Sequence, residues 1–295
     1  MANPRIAYEL ASQRPRLEPL EGKPLMVHIV VNVEHWPFEQ PMPRTVITPP
    51  HGRGRVPDVP NYAWAEYGLR CGMPRILALL QDRELPASTS CNASVLDAYP
   101  ACAQAMLDAE WEFIGHGVHQ RAAQDQDEAT IIGIALEKIT AFTGRRPRGW
   151  LGPGLAETFE TPDLLKAAGI DYVFDWVLDD LPCWLSTKHG PLLSLPYTVE
   201  INDSVVYAVE RHASPEIYRR LVDTVEVFDW ELREQPRVLT IALHPHLIGV
   251  PHRILYLEKM LDLLLDREDV IFVTAGNIAD WFVEAEAAAV SATRR

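Results

Sequence analysis

The regular alternation of short β-rich runs with amphipathic helical segments constrains the fold of this chain more than any other feature. Eight such runs occur, near 25–33, 86–91, 111–115, 148–151, 171–174, 191–208, 238–243 and 270–274. Segments with helical periodicity separate them. A right-handed succession of βα units in one sheet either closes into a barrel or stays an open, doubly wound sheet.

Helix boundaries between the runs are marked by residues that favour helix ends. Pro74 opens one helical segment, Thr161-Pro162-Asp163 opens another that stops at Gly169, and Gly144 follows the end of a third. The sequence contains no glycine-rich dinucleotide fingerprint of the kind that accompanies open sheets. We therefore predict an α/β fold, an irregular (β/α) barrel of about seven strands.

The domain organisation follows from what the chain does not contain between these units. No Gly/Ser-rich linker, low-complexity tract or internal repeat divides its 295 residues. We predict one barrel domain over 1–295, with an irregular N-terminal extension at 1–24 and a long proline-rich loop at 36–60. A loop of that length usually carries function.

Charge and composition exclude several classes of partner. A formal net charge of −14 repels phosphate backbones, so we expect no nucleic-acid partner. No apolar run is long enough to span a bilayer, and the first twenty residues lack the apolar core of a secretory signal. We expect a soluble, cytoplasmic protein that acts on a small molecule. The four cysteines show no CxxC spacing and are expected to be reduced thiols.

Ionisable and aromatic residues follow five of the predicted strands. Chemistry in barrels of this type collects at the carboxyl ends of the strands, which meet at one mouth. We therefore expect the residues that follow these strands to lie close together. In strand order they are Asn32, Glu34, His35 and Trp36; His116, His119 and Gln120; Trp150; Asp175 and Trp176; and His244 and His246.

One subset of these residues raises the question of a metal. A carboxylate from one strand and two imidazoles from another form a ligand set that catalytic zinc uses. Glu34, His116 and His119 are the candidates. On a helical turn, however, the fourth residue after His116 would be better aligned with it than the third. That fourth residue is Gln120, and glutamine is a poor zinc ligand. The cofactor expectation is either none or one divalent metal, with zinc as the candidate.

Four stretches of the chain resemble the polysaccharide deacetylase superfamily, over about Leu25 to Phe282. The resemblance is closest to the branch that holds metal-independent allantoinases and cyclic-imide hydrolases. The family fold is an irregular (β/α) barrel of about seven strands. The stretches are Val31-Asn32-Val33-Glu34, Glu66-Tyr67-Gly68-Leu69-Arg70-Cys71-Gly72, His116-Gly117-Val118-His119-Gln120 and Leu195-Pro196-Tyr197-Thr198-Val199-Glu200-Ile201-Asn202-Asp203.

The chain also departs from the motifs of deacetylases in this superfamily. Their first motif carries an Asp-Asp pair, a base and a metal ligand, where this chain has Asn32 and Glu34. Their second motif carries two metal-binding histidines four residues apart, where this chain has His116 and Gln120. Their third motif has an arginine before a Pro-Tyr-Gly turn, where this chain has Leu151-Gly152-Pro153-Gly154.

The resemblance implies hydrolysis of a non-peptide C–N bond in a small amide, cyclic imide or hydantoin-like ring, with water as nucleophile. It implies Glu34 as base or metal ligand and His116 as ligand or electrophilic stabiliser. The family's late Leu-His pair is retained as Leu243-His244, which implies His244 as general acid. The candidates for substrate binding are Asn32, His35, Trp36, Tyr67, Arg70, Trp150, Trp176, Glu200 and Asn202.

Two alternative functions remain open at this point. The first is a zinc-dependent N-deacetylase that acts on a carbohydrate. The second is a non-catalytic barrel that holds a ligand after losing the base and metal pair. The family branch tends to assemble, so we also expect a homo-oligomer.

Overall fold

The structure, a computed structural model, describes residues 3–42, 45, 47–48, 56–122 and 127–293. Residues 43–44, 46 and 49–55 of the predicted 36–60 loop lie outside the described residues. The segment before the first strand contains one turn of 3-10 helix, Ala11–Gln13. Two ion pairs tie this segment to the rest of the chain, Arg5 to Asp163 at 3.1 Å and Arg14 to Asp179 at 3.0 Å.

The strands of the described residues form one sheet. Its order is β6-β7-β5-β4-β3-β2-β1-β8, and β9 also pairs with β1. All pairings are parallel except that of β6 with β7. The fold is the predicted irregular (β/α) barrel. The strands are β1 Leu25–Val33, β2 Ser88–Cys91, β3 Glu112–Gly115, β4 Gly149–Trp150, β5 Tyr172–Val173, β6 Cys183–Leu185, β7 Leu192–Ser194, β8 Arg237–Leu243 and β9 Val270–Val273.

The helices alternate with the strands along the chain. Among the described residues, no helix is both long enough and apolar enough to cross a bilayer. The helices are α1 Val59–Tyr67, α2 Met73–Gln81, α3 Val95–Ala98, α4 Pro100–Asp108, α5 Glu128–Thr143, α6 Thr161–Ala167, α7 Glu216–Glu231, α8 Pro251–Leu265 and α9 Ala275–Thr293.

Strand β1 pairs with three other strands, β2, β8 and β9, and all nine of its residues are buried. One edge of β1 pairs with β8 from Leu25 to Val31. The other edge pairs first with β9 and then, from Val30 to Val33, with β2. Burial on both faces explains why β1 is an almost continuous apolar run. The residue that follows β1 is therefore held between the ends of β8 and β2.

The sequence pattern was wrong about the region 191–208, where only Leu192–Ser194 is a strand. A 3-10 helix, Val199–Ile201, and a π-helix, Ser204–Val209, follow it. The β-branched residues there favour a strand, but the Asn202 side chain accepts a hydrogen bond from the Ser204 amide at 2.8 Å and so favours a turn. The antiparallel strand β6 was not predicted, and at three residues it has too little pattern to detect.

Two glycines let the helical segment 59–81 approach the loop that follows β8. Helices α1 and α2 are joined by a π-helical turn, Gly68–Gly72. A Cβ atom on Gly68 would lie 2.3 Å from the backbone nitrogen of His246, and one on Gly72 would lie 2.0 Å from the carbonyl oxygen of Pro245. The close approach of the two backbones therefore requires glycine at both positions. Through this contact the segment 68–72 packs against the loop that follows β8.

Gly72→Ala tests this contact. The added Cβ has no room, so we expect the free energy of unfolding to fall by about 1–3 kcal/mol. Gly133→Ala in α5 is the matched control, because a Cβ there meets nothing within 4 Å and alanine favours a helix interior by about 0.5–1 kcal/mol. Chemical denaturation measures both, and a Gly72→Ala protein as stable as the wild type would contradict the close approach.

Candidate active site

Glu34 lies at the end of β1 with its side chain only 9% exposed. Both of its carboxylate oxygens accept hydrogen bonds. Gln120 donates its Nε2 to Oε1 at 2.8 Å, and Trp36 donates its indole Nε1 to Oε2 at 3.0 Å. The Nε2 of His244, at the end of the neighbouring strand β8, lies 3.6 Å from Oε1. The carboxylate is therefore orientated from three sides.

His244 is held from behind by Asp203, which is fully buried at the start of the π-helix 204–209. The two side chains meet at 2.6 Å between Nδ1 and Oδ1. The other Asp203 oxygen accepts the backbone amides of His244 at 2.7 Å and Ile248 at 3.1 Å. Because Asp203 can only accept while ionised, Nδ1 of His244 carries a proton and Nε2 points toward Glu34.

The electrostatic interactions among Glu34, His244 and Asp203 favour a negatively charged Glu34 beside a positively charged His244. Burial alone would raise the pKa of Glu34, but the close approach and positive charge of His244 outweigh it and lower that pKa to about 2. Burial alone would lower the pKa of His244, but Asp203 first and then Glu34 raise it to about 9. At neutral pH the site therefore holds a carboxylate beside an imidazolium.

His116 lies at the end of β3 and is 2% exposed. Its Nδ1 approaches the carbonyl oxygen of Leu151 at 2.6 Å. A carbonyl oxygen only accepts, so Nδ1 carries the proton, and Nε2 is buried without a hydrogen-bond partner among the described residues. Burial lowers the pKa of His116 against the attraction of Glu34. His116 therefore offers a neutral nitrogen lone pair in the electrostatic field of Glu34.

Asn32 and Asn202 brace the strands beneath the site. Asn32 donates to the Tyr197 hydroxyl at 3.1 Å and to the Leu243 carbonyl at 3.2 Å, and Ser90 donates to its side-chain oxygen. Asn202 lies 3.4 Å from the same Tyr197 hydroxyl. Both asparagines were predicted to bind substrate, but their polar atoms are used in buried contacts within the protein.

His35 and His119 form a second group beside the site. Their ring centroids lie 5.4 Å apart, and the Nδ1 of His35 lies 2.8 Å from the Ser94 hydroxyl. Burial lowers the pKa of both imidazoles. His119 therefore packs against His35 and does not join Glu34 and His116.

Three predicted substrate contacts lie away from Glu34. Arg70 is 75% exposed and pairs with Glu66 at 3.5 Å, and the Tyr67 hydroxyl contacts Arg75 at 3.2 Å. Glu200 is exposed. Helical periodicity cannot tell which face of the segment 66–72 turns to the mouth. In the structure Arg70 is exposed and Tyr67 is half-buried against Arg75.

The three tryptophans predicted to wall the mouth have different surroundings. Trp36 lies over Glu34 and is 8% exposed. Trp150 is buried and faces Gly115, whose Cβ would lie 2.6 Å from the indole ring, so it belongs to the core. Trp176 donates its indole nitrogen to Glu157 at 2.7 Å. Of these three tryptophans, Trp36 is the one that donates a hydrogen bond to Glu34.

The donor set fits a catalytic zinc ion poorly. The His116 arrangement, with Nδ1 on a carbonyl and Nε2 open, is typical of a metal ligand. Gln120, however, stands where the family's second histidine would be and donates to Glu34, whose two oxygens are already occupied. Among the described residues no group of three or more His, Cys, Asp or Glu side chains is arranged to hold a metal. The candidate set of Glu34, His116 and His119 is therefore not assembled.

Sequence reasoning places Asp203 among the residues that could orient the pocket, but it missed the contact of Asp203 with His244 and the role of Gln120. Asp203 lies in a stretch assigned to a strand, and it precedes His244 by 41 residues, so no local spacing links them. The signal available was its place in the motif 195–203. Gln120 was considered only as a poor metal ligand, whereas it orientates the Glu34 carboxylate.

Comparisons with known proteins agree on one group of relatives. No protein-family model matches the chain. It is 29% identical to a Schizosaccharomyces pombe protein named as a polysaccharide deacetylase, over 72% of this chain and 73% of that protein. It is 24% identical to a Helicobacter pylori peptidoglycan deacetylase, over 72% of this chain and 84% of the relative.

Solved structures give the same result for the fold. A Pseudomonas aeruginosa PAO1 protein named as a polysaccharide deacetylase superposes with a TM-score of 0.81 and 27% identity, over 92% of this chain and 95% of that one. The PuuE allantoinase also superposes with a TM-score of 0.81, at 25% identity, over 94% of this chain and 98% of that one.

The charged state of His244 predicts how stability depends on pH. Since its pKa is raised on folding from 6.5 to about 9, its contribution is complete below 6.5 and is lost as the pH rises through about 9. Each pKa unit is worth about 1.4 kcal/mol. His244→Asn keeps a donor toward Asp203 but does not titrate, so we expect the stability advantage of the wild type over this variant to shrink across that range. Denaturation at several pH values measures it, and parallel curves would contradict the charged pair.

Proposed function

We propose that this chain, a carbon–nitrogen hydrolase of the polysaccharide deacetylase superfamily, acts on a small amide, cyclic imide or hydantoin-like ring. The observation that carries the proposal is the nearly buried group of Glu34, His116 and His244. Their exposure is 9% for the Glu34 side chain, and 2% and 5% for the two histidines. A long polysaccharide needs an open groove, whereas a small ring can enter an enclosed site.

We assign His116 as the general base. Hydrolysis by water requires a group that removes a proton from the water, and the best base has a pKa near the working pH. Glu34 has a pKa of about 2 and both oxygens engaged, so it is a weak base. The neutral His116 has an open Nε2. We therefore assign the role of base to His116 and not to Glu34. His116 cannot act as the electrophilic stabiliser, since its unprotonated Nε2 has no hydrogen to donate to an oxyanion.

His244 is assigned as the general acid, as the family resemblance implies. Its imidazolium carries a proton on Nε2, and the 3.6 Å contact with Glu34 is looser than a hydrogen bond. The positive charge stabilises the oxyanion that forms when water attacks the carbonyl. Glu34 keeps His244 charged, and Asp203 keeps it orientated.

The reaction then proceeds in two steps. Water adds to the carbonyl carbon while His116 Nε2 takes one of its protons, and the carbonyl oxygen becomes an oxyanion beside His244. The C–N bond then breaks as His244 gives its Nε2 proton to the leaving nitrogen. The products are a carboxylic acid, which ionises, and the released amine or amide nitrogen, still on the same molecule when the substrate is a ring.

A carbohydrate N-deacetylase is the second candidate, because the two curated relatives named above are named as deacetylases. A carbohydrate N-deacetylase would also hydrolyse a C–N bond, but its substrate would be larger than a small ring and it would need a metal. The enzyme relatives give no support to the non-catalytic barrel.

A substrate panel with variants tests the proposed function. Hydantoins, cyclic imides and N-acetylated amino sugars are assayed with and without a chelator, and we expect ring opening that the chelator leaves unchanged. Glu34→Gln, His116→Asn and His244→Asn should each lower kcat by about 100-fold or more. His189→Asn, in an exposed loop, is the matched control. Deacetylation that the chelator abolishes would instead establish the second candidate.

The pH profile of kcat/KM tests the assignment of the base. His116 must be neutral, so the rate should rise with pH through a value below 6.5. His244 must be protonated, so the rate should fall as the pH passes about 9. An acidic limb near 2 would instead assign the base to Glu34.

A further inference from the structure

One peptide group connects His116 to a carboxyl group that the proposed mechanism does not use. The carbonyl oxygen of Leu151 lies 2.6 Å from Nδ1 of His116. The amide nitrogen of Gly152, in the same peptide, donates to Oδ1 of Asp175 at 2.7 Å. Imidazole, peptide and carboxyl therefore form a continuous chain of hydrogen bonds, and successive bonds in such a chain polarise one another.

The peptide is confined on both sides. A Cβ on Gly152 would lie 2.7 Å from the carbonyl oxygen of Ala156, so only glycine fits there. Pro153 packs against Gly117, the residue after His116, whose Cβ would lie 3.2 Å from the proline ring. The Leu151–Gly152 peptide therefore has little room to rotate while the Gly152 amide donates to Asp175.

Asp175 lies near a second buried carboxyl, that of Glu157. The Oδ2 of Asp175 is buried without a hydrogen-bond partner among the described residues. Burial first and then the charge of Glu157 raise the pKa of Asp175 well above its ordinary value, and burial raises the pKa of Glu157 to about 7. Trp176 donates its indole nitrogen to Glu157 at 2.7 Å. Since two like charges repel in a buried site, Asp175 is the carboxyl that holds a proton, and its Oδ1 accepts from Gly152.

We propose that Asp175 is a positioning residue that fixes the tautomer and orientation of His116 through the Leu151–Gly152 peptide. The inference rests on the proposed function in giving His116 the role of base. With the carbonyl of Leu151 held against Nδ1, the proton stays there and Nε2 keeps its lone pair. Without Asp175 the Gly152 amide has no acceptor, the peptide can turn, and both tautomers of His116 become populated.

Two substitutions of Asp175 separate this role from a merely structural one. Asp175→Asn keeps an oxygen that can accept from the Gly152 amide, and its side chain is uncharged, as protonated Asp175 is. Asp175→Ala keeps no acceptor for that amide. Asp171→Ala is the matched control, because Asp171 lies at the opposite end of the same strand, is 47% exposed and pairs with Arg148 at 2.8 Å.

Nitrogen-15 NMR of the histidine rings reads the tautomer directly. We expect His116 to be protonated at Nδ1 in the wild type, Asp175→Asn and Asp171→Ala, and to show both tautomers in Asp175→Ala. In turnover, kcat of Asp175→Ala should fall about 10- to 100-fold with little change in KM, the usual size of the effect of groups that orientate a functional histidine. Asp175→Asn should recover most of this loss.

The NMR measurement needs no substrate, so it separates this inference from the proposed function. Inactivity of the wild type on the whole panel would overturn the proposed function, while the tautomers would still decide the role of Asp175. The inference is overturned if wild-type His116 is protonated at Nε2, if Asp175→Ala leaves the tautomer unchanged, or if Asp175→Asn is as impaired as Asp175→Ala. Should Asp175→Ala not fold, Asp175→Leu takes its place, since leucine fills the space of the carboxyl but offers the Gly152 amide no acceptor; an unchanged tautomer in that variant would overturn the inference.

Discussion

The burial of one negative and one positive charge against each other is the constraint on which the rest of this structure depends. Glu34 and His244 are almost completely buried. An isolated charge in a buried position would be very costly in free energy. Each is therefore surrounded by groups of the right polarity. Asp203 supports the imidazolium, while Gln120 and Trp36 donate to the carboxylate. The result is a site whose polar atoms are orientated before any substrate arrives, which is the main requirement of electrostatic catalysis.

The scaffold serves this pair through register and close packing. Val31 lies opposite Leu243 in the β1–β8 pairing, so the chain leaves both strands at the same level and delivers Glu34 and His244 together. The π-helical turn at 68–72 then presses on the loop after β8 at distances that only glycine allows. A site built on strand ends with such support is more rigid than one built on free loops.

How much of this could be predicted depends on whether an interaction is local. Glu34, His116 and His244 each follow an apolar run, and parallel strands end at a common edge, so their meeting could be predicted. The contact of Asp203 with His244 could not, because it spans 41 residues and starts from a segment whose composition favours a strand. The exposure of Arg70 could not be predicted for a different reason: helical periodicity defines a face but does not say what that face contacts.

By itself, the sequence determined the alternation of strands and helices, hence a parallel barrel, and the position of Glu34, His116 and His244 directly after strands β1, β3 and β8. Only the tertiary structure decided the state of those residues. It charged His244 through Asp203, left His116 neutral with its proton on the Leu151 side, and occupied both oxygens of Glu34. The reason is physical: the pKa and tautomer of a buried group depend on its distance from water and on partners that come together only when distant parts of the chain pack.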